Sequence, residues 1–541
     1  MATDRATSSG RRPASEERYA RREGVTLLPE QRDQGAETHV RPETALLSVV
    51  PQRGPLARLA ERIRLGRRRR LTSDPAAVAA MLVLGAVLVG LGDGLDSGFY
   101  SPIALVLVGV GLAVLVAAGT GLAHPWIDRA SGAIRSWVGS PRSVIVVGAT
   151  GSLVLGLLRP AKVHLFSLLT PSAARLEVAG QVLIVLAALV TLGSALREIP
   201  KPTWALGIVA VLFSAGSVLS IRADPRPPID VWYMFQAAAR ALLGGHDIYA
   251  AAWSSGVPGE VANHFTYLPG SAVALSPFFL VFGDVRYGLV AAMLVAAVAI
   301  SAVGGRRFGP LLGCLLLCYP QVLFALEQSW NDPLILATLA LAVYASRRGA
   351  TRTLLVLLAF AITLKSYVLL VVPLGCLWTA VGPRRMVWVV VGAAGFVLPW
   401  VFVDPRAFWS GAVLTPLRSA ARGNALSLYS PLLQSGHSPG LALAIVAVAA
   451  ALLFALVALP LTDAGFVVGL AIGLAAFNLT MKESYFNEWM LVAGFALLSA
   501  AALLGAGTSP KAAGVAPSVD GAARLGEFGP LSGADPRGRE R

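Results

Sequence analysis

The chain has 541 residues, of which 55% are hydrophobic and only 14% charged, with a mean hydropathy of +0.67. Soluble globular domains carry about 25% charged residues, which excludes that class. A β-barrel is excluded too, because its strands are only about 10 residues long and alternating, whereas the apolar runs here are roughly twice that. The net charge of +15 would suit a nucleic-acid partner, but the arginines flank apolar runs, as Arg67 to Arg70 do ahead of Ala76. That is the positive-inside signature and calls for no nucleic acid. The expected fold is an all-α polytopic membrane protein.

Residues 1–54 are rich in Arg, Glu, Ser, Thr and Gly without a sustained apolar period, so residues 1–75 are expected to be a disordered, basic, cytoplasmic region. No apolar h-region follows the early charges, unlike in a signal peptide. Pro55 to Gly66 has Leu56, Leu59 and Ile63 at helical spacing between arginines, which fits a helix on an anionic leaflet or a solvated linker.

Spans are expected near 76–92, 102–122, 143–158, 178–196 and 203–221. The loop Asp93–Asp96 is acidic, whereas Arg129, Arg135 and Arg142 follow the second span and Arg197 and Lys201 the fourth. An inside N-terminus puts these basic loops in the cytoplasm and Asp230 on the outer face. The loop at 159–177 runs against that rule with Arg159, Lys162 and Arg175 outside; its Val163–Phe166 stretch suits the membrane surface.

Ile229 to Pro269 is the longest internal stretch that is neither span nor simple linker, and it carries Asp230, Asp247 and Glu260. Within it Val231–Gly244 reads as a helix lying along the membrane. Trp232, Phe235, Ala239 and Leu242 form one stripe, Arg240 lies opposite, and Gly244-Gly245 ends the helix. Pro269–Gly283 is apolar but short for a crossing. If it crossed, Arg306-Arg307, Arg347-Arg348-Arg352 and Arg384-Arg385 would all fall outside, so it is expected to lie at the outer face.

Spans at 286–304, 308–326 and 332–346 follow. Thr353–Ala380 is too long for one crossing and holds Lys365 centrally, where a bare lysine would cost about 3 kcal/mol or more. Two short helices meeting at Lys365-Ser366-Tyr367 avoid that cost. Spans near 386–403, 438–460, 464–481 and 488–507 bring the expected total to about 14 crossings of a ~30 Å hydrocarbon layer. Residues 508–541 read as a disordered cytoplasmic tail. Cys314, Cys318 and Cys376 fall inside apolar runs, where packing suits them better than metal binding.

This topology gathers polar residues on the outer face: Asp230, the 246–268 loop, Glu327 to Asp332, Lys365, a 404–437 loop with Arg418, Arg422 and Asn424, and Lys482 to Glu488. Asp230-x-x-Tyr233, the Ala-Ala-x-x-Leu-Leu-x-Gly run at Ala238–Gly245, Asp247-x-Tyr249 and Tyr267-x-Pro269 resemble the GT-C superfamily of membrane glycosyltransferases. The resemblance is closest to family 87, the polyprenyl-phosphate-mannose-dependent α-mannosyltransferases of actinobacterial envelopes. Glu327-Gln328 with Asn331-Asp332 stands where that family has a Gly-Gln or Asn-Asp signature opening a helix. Leu364-Lys365-Ser366-Tyr367 is similar to its Leu-Lys-x-Tyr/Phe-Pro motif, without the proline, and Tyr267-Leu268-Pro269 replaces its Tyr-Pro-Pro. The resemblance covers 203–507, with an outer-face loop at 222–285, and four additional helices at 76–202 precede it.

The resemblance implies a plasma-membrane enzyme with both termini cytoplasmic and an extracytoplasmic active site. It would move a sugar, mannose in the first instance, from polyprenyl phosphate to a lipid or glycan acceptor among membrane lipids. Asp230 would be the catalytic base, or simply a helix N-cap. Lys365, Lys482 and Arg422 are candidates to meet the leaving phosphate, with snorkelling open to Lys365 and an ion pair open to Lys482 and Glu483. His264 would orient acceptor or phosphate, or pack on Tyr267. Glu327 and Asp332 would bind sugar hydroxyls, with a cap role open to Asp332. Tyr233, Tyr267, Gln328, Asn331 and Asn424 complete the expected substrate-binding set. Polyprenyl phosphate brings no nucleotide diphosphate, so no Asp-x-Asp metal site and no cofactor is required. The alternatives are a transporter or flippase of lipid-linked sugars and a non-catalytic envelope-assembly protein.

Overall fold

The computed structural model describes residues 74–120, 140–158, 170–197, 202–251 and 264–506, all within one compact unit. The expectations for residues 1–73 (with Pro55–Gly66), for Arg129, Arg135, Val163–Phe166 and Glu260, and for 508–541 lie outside the described residues.

The described residues are helical, with one isolated antiparallel bridge between Phe99 and Ala425. Helices α1 (Pro75–Leu95), α2 (Pro102–Gly119), α3 (Pro141–Leu158), α4 (Pro171–Leu196) and α5 (Thr203–Ala223) come first. Then follow α6 (Asp230–Leu243), α7 (Pro269–Phe282), α8 (Arg286–Leu317), α9 (Val322–Glu327), α10 (Asp332–Arg347), α11 (Thr351–Ile362) and α12 (Val371–Leu377). Helices α13 (Gly382–Val403), α14 (Gly440–Ala458), α15 (Asp463–Thr480) and α16 (Phe486–Leu504) complete the bundle.

Ten of these are long and apolar enough to cross a membrane, so the expected total of about 14 is met only in part. The shortfall lies in α10, α11 and α12, which are shorter than a full span, and in α8, which is counted once although it folds back. At Gly305 (φ 74°, ψ 178°) the helical path breaks, and beyond it Gly313 faces the Ala297 carbonyl so closely that a Cβ would lie 2.7 Å away. The arms 286–304 and 306–317 therefore run antiparallel, as two separate spans were expected to. This backbone conformation is essentially confined to glycine, so Gly305→Ala should lower stability by about 1–3 kcal/mol. An SDS titration of the purified protein in mixed micelles would measure it.

A polar cap followed by proline opens α1, α2 and α4, at or beside the expected start for the first two and well upstream of it for α4. Asp74 accepts from Ala76 N (3.0 Å), Ser101 from Ala104 N (3.3 Å) and Thr170 from Ala173 N (3.3 Å). Thus α4 opens at Pro171 rather than 178 and takes Arg175 and Glu177 into its first turns. Helix α1 likewise runs through Asp93, expected in a loop; that carboxylate is fully buried and accepts from Tyr319 Oη (2.9 Å).

The core runs through α16, 83% of whose residues are buried and against which α1, α8 and α15 pack; α14, with 11% buried, packs on α15 along one side and is otherwise largely exposed. The first helices are not appended to this core, since α1 lies directly on α16. At one end of the bundle Arg347 bonds Asp463 (3.3 Å) and the carbonyls of Val303 and Ala502, while Trp378 Nε1 donates to Asp463 (2.9 Å). The basic clusters at 306–307, 347–352 and 384–385 belong to this end. At the other end Gly270 N donates to the Thr363 carbonyl (2.9 Å), and Arg286 reaches the carbonyl of Ile221 (3.4 Å). Helix α7 therefore begins and ends on the same side, as the charge parity requires.

Candidate functional site

Asp230 opens α6 as its first residue; Ile229, not Asp230, is the N-cap, and the Asp230 carboxylate accepts from Val231 N (2.8 Å). The apolar stripe expected for this helix is buried at Trp232, Phe235 and Ala239, and Gly245 (φ 72°) turns the chain away after it. Tyr233 sits edge-on to Trp232 (4.8 Å between centroids). The Trp232 indole N–H points at both oxygens of Asp284 (3.4 Å each), and Asp284 pairs with the fully buried Arg286 (2.6 Å). This buried pair rivets α6 to the start of α8. Trp232→Phe keeps most of the ring and removes one donor to Asp284, so it should cost about 1 kcal/mol in thermal or SDS unfolding.

Lys365 ties three elements together. The loop between α11 and the 3₁₀ turn Ser366–Leu370 is extended at Lys365, so the chain breaks where the cost of a mid-bilayer lysine required. Its ammonium lies 3.3 Å from Asp332 and 3.4 Å from Glu488, and over the rings of Tyr367 (4.7 Å) and Tyr267 (5.8 Å). Asp332 also accepts from the Tyr367 hydroxyl and from Asn487 Nδ2 (2.6 Å). Asp332 is therefore no cap; Asn331 holds that position, and its side-chain amide bonds Ser271 Oγ (2.7 Å) and the Leu364 carbonyl (3.2 Å) instead. Burial works against the lysine's charge, but Asp332 and Glu488 outweigh it and hold its pKa above the ordinary value. Snorkelling to water does not describe this lysine.

Tyr267 stacks on Phe235 (4.8 Å) and so joins the lysine cluster to α6, the helix that Asp230 opens. Burial pushes its phenol well up and Lys365 lowers it, while Asp332, Asp230 and Glu488 raise it further. Arg422 completes the group. Its side chain, 43% exposed, pairs with Glu483 (3.3 Å) and lies over the Tyr485 ring (5.9 Å). Partial burial works against its charge, yet Tyr485, Glu483 and Asp230 hold its pKa above the ordinary value. Asp230 is thus felt by both Tyr267 and Arg422. Burial pushes the Tyr485 phenol up to about 12, against the lowering effect of Arg422, so it stays protonated at neutral pH.

The expected Lys482–Glu483 pair is replaced: Glu483 faces Arg422, and Lys482 Nζ donates to the carbonyls of Leu417 (2.9 Å) and Ser419. His264 Nε2 is hydrogen-bonded to Thr415 Oγ1 (2.7 Å), and buried Gln328 donates to buried Glu327. Asn424 is exposed, and its carbonyl accepts from Tyr100 N (2.8 Å). Cys318 packs by Thr191 (Sγ to Oγ1 3.8 Å). Among the described residues no group of three or more His, Cys, Asp or Glu is arranged to hold a metal ion.

Tyr367, Tyr485, Asn487 and Glu488 lie in segments expected at the polar end but stand outside the expected substrate-binding set, and the Asp284–Arg286 pair was not anticipated. Glu488 had a readable signal: an acidic residue in the first turn of a strongly apolar helix, where it accepts from Tyr485 N (2.9 Å) as half of a capping box. Compared with protein-family models, curated proteins and solved structures, the chain finds no match.

Proposed function

We propose that this chain is an integral-membrane glycosyltransferase. It would move a sugar, mannose in the first instance, from polyprenyl phosphate to a lipid or glycan acceptor at the outer face of the plasma membrane. The reading takes up the motif resemblance to the GT-C superfamily. The observation that carries it is the position of Asp230: half-buried, it opens α6, and Tyr267, which stacks on Phe235 of that helix, also lies under the Lys365 ammonium.

Asp230 takes the proton of the acceptor hydroxyl as that oxygen bonds to the anomeric carbon. The bond from that carbon to the phosphate oxygen breaks, and the electron pair leaves with the lipid phosphate. Inversion turns a β-linked donor into an α-linked product. Arg422 is the cation suited to the departing phosphate, since its guanidinium is partly exposed and pairs with a single carboxylate, Glu483. Lys365 is engaged by two carboxylates, and its role is to hold Asp332, Glu488 and Tyr267 in register under the sugar. A carrier would need a second site at the opposite end; there Arg347 is engaged by Asp463 and two carbonyls.

Purified protein offered labelled polyprenyl-phosphate mannose with envelope lipid extract should move label into a new extractable product. Label remaining wholly on the donor, across a panel of envelope acceptors, would overturn the enzyme reading.

A further inference from the structure

The turn between α1 and α2 is built into the same end of the bundle. Ser97 (φ 56°) and Gly98 (φ 75°) reverse the chain, and Gly98 lies so close to the Phe486 backbone that no side chain fits there. Phe99 then bridges Ala425, and Tyr100 N donates to the Asn424 carbonyl (2.8 Å). On its other edge the same segment is bonded to the stretch before α16, with Arg422 N donating to the Lys482 carbonyl (3.1 Å) and Leu426 N to that of Ser484 (2.9 Å). The Arg422 segment is therefore held between two others, one of them from the N-terminal hairpin. The side chains continue the arrangement: Phe99 stands edge-on to Tyr485 (6.1 Å, 69°), and Arg422 lies over that ring.

We infer that the α1–α2 turn is a wall of the anion site, with Phe99 acting as a positioning residue that holds Tyr485 and thereby aims Arg422 at the phosphate group of a lipid-borne ligand. This rests on the reading of Arg422 as the phosphate contact. It gives the N-terminal hairpin, which precedes the segment carrying the family resemblance, a part in binding. Edge-to-face rings and a cation over a ring are both directional contacts, so losing the first ring frees the second and lets the guanidinium wander.

The test is binding of a short-chain isoprenyl phosphate to the full chain in nanodiscs, with inorganic phosphate titrated in parallel. Phe99→Ala should weaken isoprenyl phosphate about tenfold, and should add little further once Arg422→Gln is present, because contacting residues couple. Phe99→Tyr, which keeps the ring, should bind as the parent does. Phe99→Leu carries the test if the alanine variant fails to fold, and is expected to weaken binding in the same direction. Unchanged affinity in a folded Phe99→Ala or Phe99→Leu variant, or equal losses with and without Arg422→Gln, would overturn the inference while leaving the role of Arg422 standing. Unchanged affinity in Arg422→Gln alone would instead remove the phosphate reading, and this inference with it. The same pattern with inorganic phosphate would assign the wall to the phosphate group itself; its restriction to isoprenyl phosphate would assign it to the lipid-borne form.

Discussion

Asp230→Asn should lower sugar transfer by about 10²–10⁴-fold, the usual contribution of a positioned general base, while the protein remains folded. The substitution is nearly isosteric, and the amide oxygen can still accept from Val231 N, as the carboxylate does at 2.8 Å. What the helix loses is a negative charge in its first turn, worth about 0.3–1 kcal/mol. That is too little to unfold α6, whose buried face is anchored by Phe235, Ala239 and the Trp232–Asp284 contact. Folding and catalysis are therefore separable at this position. Initial rates with labelled polyprenyl-phosphate mannose, alongside thermal midpoints in the same detergent, would check both halves. Transfer within about tenfold of the parent would leave Asp230 a helix-opening residue and nothing more.

Lys365→Met should destabilise the protein by about 3–5 kcal/mol, the cost of stripping one partner from buried charges. Asp332 has no exposed side-chain surface, and the Glu488 side chain is only 17% exposed, so both carboxylates would face each other across an apolar gap. Tyr367 and Asn487 would still donate to Asp332, which sets the lower end of the range. Replacing Lys365 and Asp332 together by apolar residues should cost less than Lys365→Met alone, because no unpaired charge then remains at Asp332. The lysine's pKa is raised on folding. Its stabilising contribution is therefore fully present below the unfolded value of about 10.4 and is lost only as the pH climbs through the still higher folded value. Near neutrality the stability owed to Lys365 should not vary with pH. Unfolding curves in SDS at pH 7 and pH 9 would test the magnitude and this flatness together.

The helical bundle was legible from local features. Apolar length marked the spans, the cost of a buried charge placed the break at Lys365, and charge parity put both ends of α7 on one side. The start of α4 was misplaced, because the cap-and-proline pair Thr170-Pro171 outweighed the apolar count. The polar end of the bundle was foreseen as a set of segments, and the structure brings Asp332, Lys365 and Tyr267 together from that set, with Arg422 and Glu483 paired beside them.

Partners were another matter. A sequence states that a charge exists but not which opposite charge will meet it, because pairing depends on Ångström-scale geometry between residues on different segments, as with Lys365 and Glu488. Lys365 meets Glu488, and Asp332 meets Asn487, only once α10 and α16 lie side by side. Local adjacency pointed Lys482 at Glu483, whereas the fold turns Glu483 to Arg422 and Lys482 to backbone carbonyls. The amino-acid sequence by itself determined that this is a multi-pass helical membrane protein, because hydrocarbon admits only apolar surface and backbone groups that satisfy one another. Which carboxylate faces which cation, and the docking of the first hairpin's turn against the Arg422 segment, were decided by tertiary packing alone, through contacts that no local pattern encodes.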